Sequence, residues 1–195
     1  MKVLVFVSLI FFYAFPAYAQ EDTALVNRVS QLLKYTQSKD LEKIMDYTYP
    51  KLFDIAPREL MISTLEETYE NDDFNIELDS VNILSIFPVF IVNDTSYVKL
   101  THSMLMKMKY KEPLDTSDME SKYMLVAILE PKYGTGNVRF DSAANSLNIY
   151  MKPDILGIKD KTSHTWTFIT INDENPLILE MLFSQAVLNK LKEYK

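Results

Sequence analysis

Residues 40–69 read DLEKIMDYTYPKLFDIAPRELMISTLEETY and predict two helical segments that fold back on each other. Apolar residues recur at helical spacing from Leu41 to Met45, Asp40 can cap this segment, and Pro50 then interrupts the pattern. The first turn of a helix tolerates proline, because the missing N–H group would have no partner there, so Pro57 can begin the second segment. The stretch therefore supplies a helical layer that can cover the strands predicted further along the chain.

Another helix is predicted before this pair. Asp22 or Thr23 can cap it, and we expect it to run to about Gln37. Its apolar residues recur on one face, namely Leu25, Val26, Val29, Leu32 and Leu33. The helix after Pro57 has a similar stripe, formed by Leu60, Met61 and Leu65. The chain is therefore predicted to be helical as far as Asp73.

The period of the apolar residues then changes to two, which indicates strands. Alternation begins at Phe74 and changes parity near Asp79 and Ser80, which is typical of a β-bulge. A second strand is predicted over residues 89–92, followed by the turn-forming cluster of residues 93–96. The clearest strand runs over residues 97–110, and its even positions are apolar except for His102. Its odd positions are mostly polar, so the pattern favours an antiparallel strand that is covered on one face.

The C-terminal half predicts a helix, several strands and a last helix. A Ser-x-x-Glu capping motif at Ser117 indicates a helix to about residue 133, although residues 123–129 could also form a buried strand. Further strands are predicted near residues 138–140, 147–151, 155–158 and 164–171. Asn175 and Pro176 then open an amphipathic helix over residues 176–193. This order of elements predicts an α+β fold with N-terminal helices packed on a mainly antiparallel sheet.

Residues 1–19 predict a cleaved signal peptide. An apolar run from Val3 to Phe15 precedes Ala17-Tyr18-Ala19, which has the small-x-small pattern of a cleavage site. The run is shorter than the about 20 residues that a transmembrane helix needs. We therefore expect one mature domain over residues 20–195, periplasmic or secreted, with no membrane span. The absence of cysteine excludes a disulfide framework and fits a bacterial periplasm.

Composition and motifs exclude several classes of function. The net charge of −7 and the lack of a basic cluster argue against nucleic acid as a partner. Two histidines without H-E-x-x-H spacing, in a chain without cysteine, do not predict a metal site, and no cofactor is expected. A G-x-S-x-G motif is also missing. The partners that stay open are a small apolar ligand, an envelope protein and a second copy in a homodimer.

Both histidines and the single tryptophan have positions that allow a prediction. His102 lies on an apolar strand face and is either a hydrogen-bonded core residue or a residue that lines a pocket. His164 is expected at an exposed strand end. Trp166 shares its face with Phe168 and is expected to be buried beside the helical layer.

The helical run over residues 41–50, the helix after Pro57, the strands over residues 74–110 and the late strand with Trp166 resemble the NTF2-like (cystatin-like, cone-shaped) superfamily. The resemblance implies a curved sheet around a helix, with a pocket inside the cone. Some members are enzymes of the ketosteroid-isomerase and polyketide-cyclase types, and many bind ligands or partners without catalysis. The helices predicted over residues 118–133 and 176–193 are additions to that pattern.

We therefore expect an exported, non-catalytic domain that binds a small apolar ligand or a partner protein. The alternative is an isomerase or cyclase that uses general acid–base chemistry in the pocket. Its catalytic residues would be His102, Asp46 and Tyr49, although Asp46 could instead be exposed to solvent. The candidate ligand-binding residues are His102, Met104, Met106, Trp166 and Tyr49. A cavity of at least roughly 300 Å³ would favour ligand binding.

Overall fold

A computed structural model describes residues 23–113, 119–161, 163–171 and 176–194, without the side chains of residues 119–122. The helices are α1 (Thr23–Ser38), α2 (Leu41–Tyr47), a 3-10 helix (Pro50–Asp54), α3 (Arg58–Tyr69), α4 (Met119–Tyr133), α5 (Pro176–Leu182) and α6 (Gln185–Glu193). The strands are β1 (Phe74–Ile86), β2 (Phe90–Val92), β3 (Thr95–Tyr110), β4 (Val138–Asp141), β5 (Ser146–Met151), β6 (Asp154–Lys159) and β7 (Thr167–Ile171). The predicted signal peptide and the predicted caps at Asp22, Ser117 and Asn175 lie outside the described residues.

The helical pair predicted over residues 40–69 is confirmed. Asp40 caps α2, because its carboxylate accepts a hydrogen bond from the backbone N–H of Lys43 at 3.2 Å. Pro50 begins the 3-10 helix, and Pro57 is the residue immediately before α3. Arg58 at the start of α3 joins the two segments, because its guanidinium lies 2.8 Å from the Glu42 carboxylate of α2.

Strand β3 organises a seven-stranded antiparallel sheet. One edge of β3 pairs with β1 and β2, and the other edge pairs with β5 and β6. Its 16 residues make this possible, since two shorter strands fit end to end along each edge. Strands β4 and β7 continue the sheet outward from β5 and β6. The α+β prediction is therefore confirmed, with helices packed on a curved antiparallel sheet.

Two local irregularities follow from the sequence. The predicted bulge is confirmed, because the register of β1 against β3 shifts between Asp79 and Asn82 and Ser80 has a φ of 53°. Asn93 and Asp94 form a two-residue turn between β2 and β3 with φ values of 49° and 62°. Both residues must be left-handed in this type of hairpin, which matches the right-handed twist of the strands.

Alternate residues of β3 define two faces of the sheet. The face that the N-terminal helices cover is here called the N-terminal face, and it carries Val98, Leu100, His102 and Met104. Helix α1 packs on its first part through Leu25, Val29, Leu32 and Leu33. The opposite face, which the C-terminal helices cover, is here called the C-terminal face, and it carries Tyr97 together with Leu156 and Ile158 of β6. Helices α5 and α6 pack there through Phe183 and Val187.

Several predictions need correction. The odd face of β3 is not mostly polar and wet along its whole length, because α5 and α6 cover its first part and bury Tyr97. The predicted helix over residues 176–193 is two helices, which are separated at Phe183 and Ser184. Leu60 of α3 is exposed and does not join Met61 and Leu65 at the protein interior.

Other predictions in the C-terminal half are confirmed or refined. Residues 119–133 form a helix and not the alternative strand, and α4 ends at Gly134, whose φ is 95°. The last strand begins at Thr167, three residues later than predicted. Trp166 precedes it and is buried against α1, as expected, with 3% of its surface exposed. His164 is exposed, also as expected.

Candidate functional site

A cavity of about 490 Å³ lies between the N-terminal helices, the sheet and helix α5. Its walls are mainly apolar and come from helices at one side and strands at the other. They include Leu32, Leu33 and Thr36 of α1, Ile44, Met45 and Tyr47 of α2, Met61, Leu65 and Tyr69 of α3, His102 and Met104 of β3, Phe168 and Ile169 of β7, and Ile178 and Leu179 of α5. The cavity is larger than the roughly 300 Å³ at which ligand pockets begin.

The position of His102 follows from the length of β3. Leu100 belongs to the core cluster under α1, whereas Met104 belongs to a second cluster with Ile76 and Leu78 of β1. His102 lies between the two on the same face, where the period of two places it. The cavity therefore opens where one apolar cluster ends and the next begins.

His102 is a buried polar residue in this apolar wall. Only 5% of its surface is exposed, and its backbone N–H donates to the Pro153 carbonyl at 3.1 Å. Burial lowers the pKa of His102 below its ordinary 6.5, while the charge of Asp154 and the backbone of Pro153 act in the opposite direction. The ring is therefore neutral at neutral pH.

The Nδ1 atom of His102 has no hydrogen-bond partner among the described residues. It is the one buried side-chain nitrogen or oxygen of the described chain in that condition. A buried polar atom without a partner costs free energy, and most such atoms in proteins are paired. His102 therefore lines the cavity while its Nδ1 atom is covered by neighbouring protein atoms.

Three other polar side chains in the wall are hydrogen bonded within the protein. Thr36 donates to the Leu32 carbonyl at 3.0 Å, and Thr48 donates to the Ile44 carbonyl at 3.0 Å. The Tyr47 hydroxyl donates to the side chain of Gln31. The walls contain no charged side chain among the described residues. The cavity therefore suits an apolar molecule better than a charged one.

Two of the five candidate ligand-binding residues, His102 and Met104, line the cavity. Met106 packs further along β3, against the clusters of β1 and of β4 and β5. Trp166 lies under α1 in the core. Tyr49 lies on the C-terminal face, where its ring stacks on Phe183 at a centroid distance of 5.8 Å.

The three residues of the enzyme alternative are not brought together. The Asp46 carboxylate lies 3.0 Å from the Arg58 guanidinium, and its side chain is 47% exposed. Burial, and to a smaller extent the charge of Asp160, raises the pKa of Tyr49 above 10.0. Only His102 of the three lines the cavity.

Several residues of the cavity wall were not predicted as site residues. Leu32, Leu33, Met61 and Leu65 were recognised as apolar helix positions, but a stripe of this kind does not distinguish a pocket from a packed core. Phe168 shares the face of Trp166 in the sequence pattern, and only Phe168 reaches the cavity. No local signal in the sequence separates these cases.

Helix α4 has an exposed apolar surface, which is separate from the cavity. Tyr123, Met124 and Ile128 are each more than half exposed, while Val126 and Leu129 pack on the β4–β5 hairpin. The partner protein and the homodimer stay predictions, because the exposed residues alone do not identify what covers them.

Within the described residues, no cluster of three or more His, Asp or Glu side chains is arranged to hold a metal ion. The helices of this part of the chain are also too short or too polar to cross a membrane. Comparisons with protein-family models, with curated proteins and with solved structures find no match to this chain. The geometry of the cavity therefore carries the functional conclusion.

Proposed function

We propose that this protein is an exported, non-catalytic binding protein whose cavity holds a small apolar ligand. The observation that carries the proposal is the cavity of about 490 Å³ with its apolar wall. Ligand pockets are typically about 300–1,000 Å³ and combine an apolar lining with a few polar groups that orient the ligand. Leu33, Leu65 and Phe168 supply the apolar lining here, and His102 supplies a polar group.

We also propose that the architecture is a cone of the NTF2-like type. The support is a curved antiparallel sheet that carries the N-terminal helices on one face, with a cavity between the helices and the sheet. Helices α4, α5 and α6 would be additions to such a cone. Fold alone does not assign a function, so the binding proposal depends on the cavity and not on the architecture.

Binding without catalysis is favoured by the composition of the wall. General acid–base catalysis needs a group that accepts a proton and a group that donates one, placed around the substrate. No carboxylate lines the cavity among the described residues, and Asp46 is paired with Arg58 elsewhere. A single neutral histidine suits the recognition of a ligand.

Native mass spectrometry of the protein after incubation with a lipid extract of cell envelopes tests the proposal. We expect a non-protein adduct of small mass on the folded protein. The mass of the chain purified from expressing cells tests the predicted signal peptide. Cleavage after Ala19 leaves a chain that begins at Gln20. A protein that carries no adduct after repeated incubation contradicts the binding proposal.

Helix α3 offers a matched pair of variants for this experiment. Leu65→Trp places a larger ring in the cavity wall, whereas Leu60→Trp makes the same change at an exposed position of the same helix. We expect Leu65→Trp to reduce the adduct at least several-fold and Leu60→Trp to retain it. Equal retention by both variants would show that the adduct lies outside the cavity.

A further inference from the structure

We propose that α3 is a lid, whose N-terminal end moves away from α2 to admit the apolar ligand and then returns. This inference rests on the proposed function and concerns access to the same cavity. Helix α3 lines the cavity at every fourth position, through Met61, Leu65 and Tyr69. None of its 12 residues is buried, whereas α1 buries four. Segments with few buried apolar contacts open at a low free-energy cost, and the lids of binding sites are of this kind.

Open space lies on two sides of α3. The cavity is on its inner side, and an open groove of about 630 Å³ separates the helix from the beginning of α2. Acidic residues from both sides line this groove, namely Asp40, Glu42, Glu66, Glu67 and Glu70. Lys39 is the one basic residue among the described residues that line it. Since like charges repel, the groove does not draw α3 toward α2.

The C-terminal end of α3 is fixed to the sheet and can serve as the hinge. Glu70 pairs with Asn75 of β1 in an antiparallel bridge. The backbone N–H of Asn71 donates to the Phe74 carbonyl at 3.1 Å, and its side-chain oxygen accepts from the Phe74 N–H at 3.1 Å. Tyr69 packs against the apolar cluster of β1 and β3. This end of the helix is therefore part of the packing on the sheet.

The N-terminal end of α3 is held through exposed contacts of Arg58, which are here called the latch. The Arg58 guanidinium donates to the Glu42 carbonyl at 2.8 Å, and it lies 2.8 Å and 3.0 Å from the carboxylates of Glu42 and Asp46. These two acidic side chains are 71% and 47% exposed, and such exposed ion pairs contribute little to stability. Pro57 precedes the helix without a side-chain capping hydrogen bond. The latch can therefore break while the hinge stays intact.

A cleavable cross-link across the latch tests the inference. The chain contains no cysteine, so the double variant Glu42→Cys, Arg58→Cys introduces the only two thiols. A bismaleimide with a disulfide in its spacer joins α3 to α2, and a reductant separates them again. The same variant treated with N-ethylmaleimide is the matched control, because both thiols are modified and the helices are not joined. The probe is N-phenylnaphthylamine, an uncharged apolar dye whose fluorescence rises in apolar surroundings.

Stopped-flow fluorescence measures the uptake and release of the dye. We expect both rates to be at least several-fold lower in the cross-linked protein than in the N-ethylmaleimide control, and reduction should restore them. The dissociation constant should change little, because the cross-link restricts access and leaves the cavity wall unaltered.

Hydrogen exchange gives a second readout that needs no ligand. Amides of α3 should exchange faster than those of α1 in the wild-type protein, since α3 opens locally. Arg58→Gln removes the latch and should accelerate the exchange of α3 without changing that of α1. Lys43→Gln is the matched control, because Lys43 lies 3.6 Å from the Asp46 carboxylate but belongs to α2, so exchange of α3 should stay as in the wild type.

The possible failures are distinguishable. Equal dye rates in the cross-linked and control proteins would overturn the lid while the proposed function stands, because the dye still binds. Exchange of α3 amides as slow as that of α1 would also overturn the lid. If the wild-type protein binds no dye, the proposed function and this inference are both wrong.

Discussion

The two helix-covered faces of the sheet differ in how their polar groups are paired. On the C-terminal side, Lys99 lies 2.8 Å from the carboxylate of Asp154, and Thr101 donates to the same carboxylate at 2.6 Å. The Lys99 ammonium also donates to the Tyr194 carbonyl at 2.8 Å. On the N-terminal side, Nδ1 of His102 has no such partner among the described residues.

The two faces also differ in how closely their side chains pack. Tyr49, Tyr97 and Phe183 contact one another on the C-terminal face, with ring centroids 5.8 Å and 6.0 Å apart. The cavity lies beside His102 on the N-terminal face, and Ile178 and Leu179 of α5 also line it. Aromatic contacts and paired charges stabilise a fold, whereas the atoms that line an open volume lose packing contacts. The comparison is consistent with the proposal that a ligand binds at the N-terminal face, whereas the packing of the C-terminal face serves stability.

Truncation of a buried aromatic residue should have the largest effect, and it should be similar on both faces. Phe183→Ala on the C-terminal face and Trp166→Ala under α1 should each lower the free energy of unfolding by about 3–5 kcal/mol. Urea denaturation monitored by circular dichroism measures both variants. Tyr123→Ala, at an exposed position, is the control and should change stability by less than about 0.5 kcal/mol. An unchanged midpoint for Trp166→Ala would show that its face is assigned wrongly.

Enlargement of a side chain should separate the two faces. Val187→Phe adds volume to packed interior on the C-terminal face and should cost about 1–3 kcal/mol. Leu65→Phe adds volume where the cavity provides space, so its free energy of unfolding should stay within about 0.5 kcal/mol of the wild type. Urea denaturation compares the two variants directly. Equal losses would mean that the cavity cannot accept additional atoms, and the comparison between the faces would fail.

The dependence of stability on pH examines the environment of His102. The pKa of His102 is lowered in the folded protein, whereas an unfolded histidine titrates near 6.5. Between these two values the unfolded chain binds more protons, so the free energy of unfolding is at its full value above pH 6.5 and falls as the pH drops toward the folded pKa. His102→Phe should remove this part of the pH dependence.

A matched control is the other histidine of the chain. His164→Phe changes an exposed position and should leave the pH dependence of the wild type in place. Denaturation series at several pH values give the comparison. Parallel curves for His102→Phe and wild type would show that His102 does not titrate as a buried group.

Local structure could be predicted because its causes lie within a few residues. The carboxylate of Asp40 caps α2 through the N–H group three residues later, and the turn at Asn93 and Asp94 needs two residues that tolerate a positive φ. The change of parity near Ser80 revealed the bulge in β1 for the same reason. Alternation along β3 likewise placed His102 on the face that the N-terminal helices cover.

The sites of Asp46, Tyr49 and Met106 depend on residues far away in the chain. Asp46 is held by Arg58 of the next helix, outside the cavity. Tyr49 donates its backbone N–H to the Phe168 carbonyl of β7 at 2.9 Å, and its ring lies on the C-terminal face. Met106 has the parity of His102 but lies further along β3, beyond the cavity. Periodicity gives the face of a residue and not its position relative to other elements.

The sequence by itself determined the order of the helices and strands, the α+β class and the face on which His102 lies, because periodicity, capping and turn chemistry act over short distances. Only the tertiary structure decided that a cavity exists at His102, since an open volume depends on how closely separate elements pack. Residues of α1, α3, β3 and β7 meet at its wall, and these elements are distant in the chain. The lack of a partner for Nδ1 is equally a tertiary property, because a hydrogen-bond partner can come from any part of the fold.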